Sequence, residues 1–121
     1  MRLKINREEV FNKCGGHCAY CGEQFNSIKD MQVDHVIAKQ NKYEILNNLK
    51  TNIDDISNLL PSCRSCNKFK DTFKIEDFRK NIKYQIEKFR KHHPTFRLAE
   101  RYGLVSCNED LEVKFYYETI N

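Results

Sequence analysis

The stretches Cys18-Ala19-Tyr20-Cys21 and Cys63-Arg64-Ser65-Cys66 decide the fold of this chain. In each, two residues separate two thiols, a spacing that lets both sulfurs bind one tetrahedral metal ion. A shared site would join two segments that are 41 residues apart, counting residues 22 to 62. Because four thiolates leave no coordination position for water, we expect a structural zinc ion at Cys18, Cys21, Cys63 and Cys66.

The context of these cysteines favours metal binding over disulfide bonds. Residues 1–6 lack the apolar run of a signal peptide, and no later stretch is apolar enough to span a membrane. We therefore expect a cytoplasmic protein with no membrane partner, whose thiols stay reduced. Disulfide pairing of the same four cysteines is the alternative. Cys14 and Cys107 have no partner at metal-binding spacing and receive no role.

Length and charge are those of one small, mildly basic domain. The 121 residues include 21 Lys and Arg against 17 Asp and Glu, which gives a net charge of +4. This charge is compatible with a polyanionic partner but does not require one. We expect a single domain over residues 1–121, with a core at 7–72 and an extension at 73–121.

Hydrophobic periodicity and capping residues predict an α+β order of elements around the cysteine pairs. A long polar loop from residue 38 to 55 should separate two paired strands. The predicted elements, in order, are a helix over 7–13 that begins after Asn6, strands over 31–37 and 57–61, a short helix after Cys66, helices over 75–91 and 96–102, and a closing strand over 111–117.

Four polar residues near the cysteines match the needs of phosphodiester hydrolysis: Asp34, His35, Asn58 and Asn67. His35 is the natural base for activating water, because a histidine side chain exchanges protons near neutral pH. Asp34 and Asn67 offer a charged and a neutral oxygen, which suits a Mg²⁺ or Mn²⁺ ion that also binds waters and substrate oxygens. Taken singly, each has an equally good structural explanation: Asp34-His35 as a polar turn and Asn67 as a helix-capping residue.

The pattern resembles the His-Asn-His (HNH) endonucleases of the ββα-metal fold, in the zinc-knuckle branch that includes phage and homing nucleases. The resemblance covers about residues 7–70, through the glycines and cysteines from Gly15 to Gly22, Val33-Asp34-His35, Ser57-Asn58-Leu59 and the run from Cys63 to Lys70. It implies an α+β fold with a ββα-metal core, a structural four-cysteine zinc site, an N-terminal helix and a C-terminal helical extension that ends in a strand.

The same resemblance implies a role for each polar residue. His35 would be the general base, Asp34 and Asn67 would bind the catalytic metal, and Asn58 would orient the histidine through hydrogen bonds to the backbone. The interval of 22 residues between His35 and Asn58 is longer than is usual in this branch. Asn52 and Asn48 are therefore alternatives to Asn58.

DNA is the partner that the resemblance implies. Arg64, Lys68 and Lys70 are predicted to contact phosphates, and the basic side of the helix over 75–91 would either add sequence-independent affinity or face solvent. We expect a metal-dependent DNA endonuclease that leaves 5′-phosphate and 3′-hydroxyl ends. The alternatives are a zinc-ribbon module that binds nucleic acid without cutting it, and a nuclease subunit that needs a phage terminase-like partner. Neither a monomer nor a homodimer is favoured.

Overall fold

The structure is a computed structural model that describes residues 4–38 and 52–120. Within these residues, two antiparallel strands form a sheet, and helices precede and follow it. The strands are β1 (Gln32–His35) and β2 (Leu59–Ser62), and the helices are α1 (Arg7–Asn12), α2 (Arg64–Lys70), α3 (Ile75–His92) and α4 (Pro94–Arg101). None of these described helices is both long and apolar enough to cross a membrane.

The chain divides into two compact units. The first comprises Met1–Ile75 together with Lys114–Asn121, and the second comprises Glu76–Val113. The first unit holds both cysteine pairs, the two strands, α1 and α2. Residues 114–121 thus belong to the first unit, whereas the core predicted from the sequence covers only residues 7–72.

Helix α1 begins where the sequence predicts, because its first turn is capped. The Asn6 side chain accepts a hydrogen bond from the Glu9 N–H at 3.2 Å. Just beyond the helix, the Lys13 ammonium donates to the carbonyls of Ile56 at 2.8 Å and Leu59 at 2.6 Å. These bonds fasten α1 to the start of β2.

The pairing of β1 with β2 determines the register of Asp34 and His35. Asp34 lies opposite Leu60, and His35 lies opposite Leu59. All residues of β2 are buried, so a slip of one residue would break both the pairing and the burial of β1. A 3₁₀ turn over Ile56–Asn58 precedes β2, so the return strand begins two residues later than predicted.

The closing strand predicted over residues 111–117 is wrong. Residues 111–115 lie outside regular structure, and Tyr116–Glu118 form a 3₁₀ turn. The N–H groups of Tyr116 and Tyr117 donate to the carbonyls of Tyr20 at 3.0 Å and Ala19 at 2.8 Å. Phe115 is buried with its ring centroid 5.2 Å from that of Tyr20. The three consecutive aromatic residues that end this segment therefore dock on the turn of the first cysteine pair and do not form a strand.

The second unit contains most of α3 and all of α4. Helix α4 begins at Pro94, earlier than predicted, because the fixed φ of proline suits the first helical position. Arg90 of α3 binds Glu100 of α4, with Nε–Oε1 at 2.9 Å, and Arg79 pairs with Glu76 at 3.0 Å. Both arginines are half-buried in ion pairs, so the exposed Lys and Arg residues of α3 are lysines: Lys80, Lys83, Lys88 and Lys91.

Candidate active site and metal centre

The four paired cysteines converge in the first unit. Their sulfurs all lie within 4.8 Å of one another. The sulfurs of Cys21 and Cys63 are 3.8 Å apart, which is about the edge of a tetrahedron built from Zn–S bonds of roughly 2.3 Å. All six cysteines of the chain belong to its described residues and are free thiols in the structure, which favours metal binding over the disulfide alternative. The donor set therefore fits a structural zinc ion.

Two tight backbone turns bring these sulfurs together. Gly22 follows the first pair with φ +81°, a left-handed conformation, and its N–H donates to the Cys18 carbonyl at 3.0 Å. Cys63 caps α2, because its sulfur accepts the N–H of Cys66 at 3.3 Å. A hydrogen bond from the Cys66 thiol is the main cause that lowers the pKa of Cys18 to about 4. The lowered pKa favours the thiolate form of Cys18, which is the form that binds metal.

Asp34 lies on β1 and is held from two directions. The Tyr20 hydroxyl donates to its Oδ2 at 2.5 Å, and the Lys70 ammonium lies 3.2 Å from the same oxygen. Burial raises the pKa of Asp34, and the positive charge of Lys70 opposes that effect. Tyr20 sits between the two cysteines of the first pair, so the zinc site and α2 together position this carboxylate.

His35 ends β1, and its ring contacts an acid that sequence analysis missed. Its Nε2 is 2.8 Å from Oδ1 of Asp54, whose side chain is 0% exposed, against 12% for the histidine. A carboxylate can only accept, so Nε2 is the donor and the neutral ring keeps a lone pair on Nδ1. The only hint in the sequence is the acidic pair Asp54-Asp55 shortly before Asn58.

Asn58 is buried and holds the chain immediately after His35. Its Oδ1 accepts the Ile37 N–H at 2.8 Å, and its Nδ2 donates to the carbonyls of Ile37 at 3.1 Å and Ile53 at 3.0 Å. Asn52 instead accepts the Asp54 N–H at 2.9 Å. These contacts favour Asn58 over Asn52 as the orienting asparagine. The other alternative, Asn48, and most of the predicted loop over 38–55 lie outside the described residues.

Asp34, His35 and Asn67 line one cavity of about 210 Å³. Asn67 reaches it from the middle of α2, and the wall is completed by Val33, Ala38, Asp71 and Thr72. The carboxylate of Asp34 has acceptor positions beyond those used by Tyr20 and Lys70, because a carboxylate offers about four. One charged and one neutral oxygen beside open space fit a hard divalent cation that keeps waters.

Residues 18–73 match the family described as HNH endonuclease. This stretch is an HNH domain. It runs from the first cysteine of the cluster to just beyond α2 and so contains every predicted site residue. The four-cysteine cluster agrees with the zinc-knuckle branch, and β1, β2 and α2 agree with a ββα-metal core. Neither the curated proteins nor the solved structures yield a match to the chain.

The basic residues of the HNH domain that were predicted to contact phosphates have different surroundings. Arg64 and Lys68 are exposed on α2. Lys70 has no exposed surface, and its ammonium donates to the His35 carbonyl at 3.2 Å as well as pairing with Asp34. The phosphate contact predicted for Lys70 is therefore wrong for this structure, because the residue ties α2 to β1 inside the domain.

We expect Lys70→Met to destabilise the HNH domain by about 3–5 kcal/mol, because it leaves the buried Asp34 carboxylate without its cation. Urea unfolding of the zinc-loaded protein measures this change. The matched control is Lys68→Met, at an exposed position of the same helix, which should alter the free energy of unfolding by less than about 0.5 kcal/mol. Unchanged stability of Lys70→Met, together with weaker and less salt-dependent DNA binding, would restore the phosphate contact.

Proposed function

We propose that this protein is a metal-dependent endonuclease that hydrolyses phosphodiester bonds in DNA. The observation that carries the proposal is the cavity at which Asp34, His35 and Asn67 meet within the HNH domain. A base and two oxygen ligands around one space are what phosphodiester hydrolysis requires. A module that only binds nucleic acid has no use for this combination.

His35 acts as the general base in this proposal. With Nε2 donating to Asp54, the lone pair of Nδ1 is the acceptor for a proton of the attacking water. The backbone at and after His35 is restrained, since Lys70 binds the His35 carbonyl and Asn58 binds the Ile37 peptide groups. The backbone that carries the imidazole is therefore fixed, and a fixed ring position favours proton transfer from one site.

Asp34 and Asn67 are the proposed ligands of the catalytic Mg²⁺ or Mn²⁺. When bound, this ion would offset the negative charge that develops on the 3′ oxygen as it leaves. Tyr20 and Lys70 hold the Asp34 carboxylate in its place at the cavity. Exposed Arg64 and Lys68, on the helix that carries Asn67, bind DNA phosphates, and the four-cysteine zinc site takes no part in the chemistry.

A plasmid-nicking assay tests the proposal. Zinc-loaded protein should convert supercoiled plasmid to the nicked form in Mg²⁺ or Mn²⁺ and leave it intact in buffer without a divalent cation. The nicks should be sealed by DNA ligase, because the ends carry 5′-phosphate and 3′-hydroxyl groups. Binding of DNA without strand loss in Mg²⁺ would identify a zinc-ribbon module instead. Cleavage only after addition of a phage terminase-like protein would identify a partner-dependent subunit.

We expect Asn67→Ala to raise the Mg²⁺ concentration for half-maximal nicking about tenfold or more, because one of two protein ligands is lost. Zinc content and melting temperature should stay at wild-type values, since the amide is not among the sulfur ligands. Ser65→Ala, on the same helix, serves as the control and should keep the wild-type dependence on Mg²⁺. A melted or zinc-free Asn67→Ala protein would give Asn67 a structural role.

A further inference from the structure

Asp54 is a buried acid that neither the sequence pattern nor the family match assigns to the reaction. Only 3% of its surface is exposed, and its Oδ1 lies 2.8 Å from Nε2 of His35. Burial of a carboxylate is costly unless hydrogen-bonded or charged partners compensate it. His35, the side chain that the proposed function uses as a base, is therefore one of the partners that compensate the burial of Asp54.

We propose that Asp54 is a positioning residue for His35, which holds the imidazole in one rotamer and in the Nε2–H tautomer. This inference rests on the proposed function. A neutral imidazole has one N–H proton. Because the carboxylate can accept a hydrogen bond but not donate one, this proton stays on Nε2, the nitrogen that faces Asp54. Nδ1 then remains free to accept a proton from water. An unrestrained ring would divide its population between two tautomers and several rotamers.

The backbone positions of both partners depend on one residue, Asn58. Its side chain binds the Ile37 peptide groups, two residues after His35, and also the Ile53 carbonyl, directly before Asp54. Asp54 is further fixed by its N–H, which donates to the Asn52 side chain at 2.9 Å. Asn58 thus joins the segment of the base to the segment of the acid. This gives the orienting asparagine a second task besides shaping the turn after the strand.

A purely structural reading is that the contact anchors residues 52–55 to β1 and has no part in catalysis. The two readings predict different kinetics. A positioning residue acts through His35, so its removal should lower kcat without raising KM for DNA, and should cost nothing further once His35 is gone. A structural anchor should instead lower stability and leave kcat of the folded protein unchanged.

The kinetic test compares Asp54→Ala, His35→Ala and the double variant in the Mg²⁺-dependent nicking assay. We expect Asp54→Ala to lose about 100-fold in kcat with KM unchanged, and the double variant to match His35→Ala. The control is Asp55→Ala, which removes the adjacent acid, whose carboxylate accepts the Ser57 N–H and caps the 3₁₀ turn over Ile56–Asn58. Its kcat should stay within about twofold of wild type, although it loses about 1 kcal/mol of stability.

An NMR measurement tests the contact without relying on cleavage. In ¹⁵N-histidine-labelled, zinc-loaded protein without Mg²⁺, the neutral His35 ring should show the Nε2–H tautomer and an Nε2–H proton protected from exchange. Asp54→Ala should lose that protection. A wild-type ring in the Nδ1–H tautomer overturns the inference.

The two proposals fail in different ways. If wild-type protein does not nick DNA, the proposed function fails, and with it the catalytic consequence of the contact. If wild type nicks DNA but Asp54→Ala nicks equally well, or the double variant is clearly slower than His35→Ala, only the positioning role fails.

Discussion

Cys63→Ser should unfold the HNH domain. Zinc binding by thiolates is itself folding free energy, on the order of 10 kcal/mol in small zinc-binding peptides, which is comparable with the roughly 5–15 kcal/mol that stabilises a whole domain. Serine is also a good helix cap, so the N-terminus of α2 would keep an acceptor for the Cys66 N–H that Cys63 now binds. The loss of structure would therefore come from the metal site and not from the helix.

The measurement is thermal unfolding by circular dichroism together with the zinc content of the purified protein. Cys107→Ser is the control, since this cysteine lies in the second unit and outside the sulfur cluster. It should bind one zinc ion per chain and melt as wild type does. A Cys63→Ser protein that melts at the wild-type temperature would show that the four sulfurs do not hold a structural ion.

Loss of the zinc site should also disturb the candidate active site. Tyr20 lies between two sulfur ligands, and its hydroxyl donates to Asp34 at 2.5 Å. The same turn binds β2, since the Ala19 N–H donates to the Pro61 carbonyl at 2.8 Å, and it binds the returning C-terminal segment. A metal ion at the four cysteines would thus help to position the Asp34 carboxylate through the Tyr20 side chain, without taking part in the proposed reaction.

His35→Ala should reduce plasmid nicking about 10²- to 10⁴-fold, the contribution that a positioned general base makes to many hydrolytic reactions. The protein should still fold and bind zinc, because His35 lines a cavity and is not among the sulfur ligands. A cost of about 1–3 kcal/mol in stability is expected, because the buried Asp54 carboxylate loses the N–H that it accepts.

The assay is run with matched zinc content and at a temperature well below the unfolding transition of both proteins. His92→Ala is the control, since this histidine is exposed at the end of α3 and lies outside the HNH domain. It should nick at the wild-type rate. Equal rates for wild type and His35→Ala would show that His35 is not the general base, and the proposed mechanism would fail.

The sequence by itself predicted the metal-binding pairs, the hairpin, three of the described helices close to their bounds, and the meeting of Asp34, His35 and Asn67. These features depend on local rules: the bite of two thiols on one ion, the spacing of apolar residues along a helix, and caps such as Asn6. A metal ion shared by the two cysteine pairs would add one long-range constraint, because it would tie the start of α2 to the turn at Cys18–Cys21.

Only the tertiary structure decided what surrounds the reactive groups. Lys70 follows Asn67 by three residues and looks like a phosphate ligand in the sequence, yet it is buried against Asp34, 36 residues away. No sequence pattern marks Asp54 or Tyr20 as a partner of the reactive groups. Residues 111–117 alternate apolar and charged side chains as a strand does, yet they dock on the first cysteine pair and pair with no strand among the described residues. Burial and hydrogen bonding depend on which distant surfaces meet, and a local pattern holds no information about that.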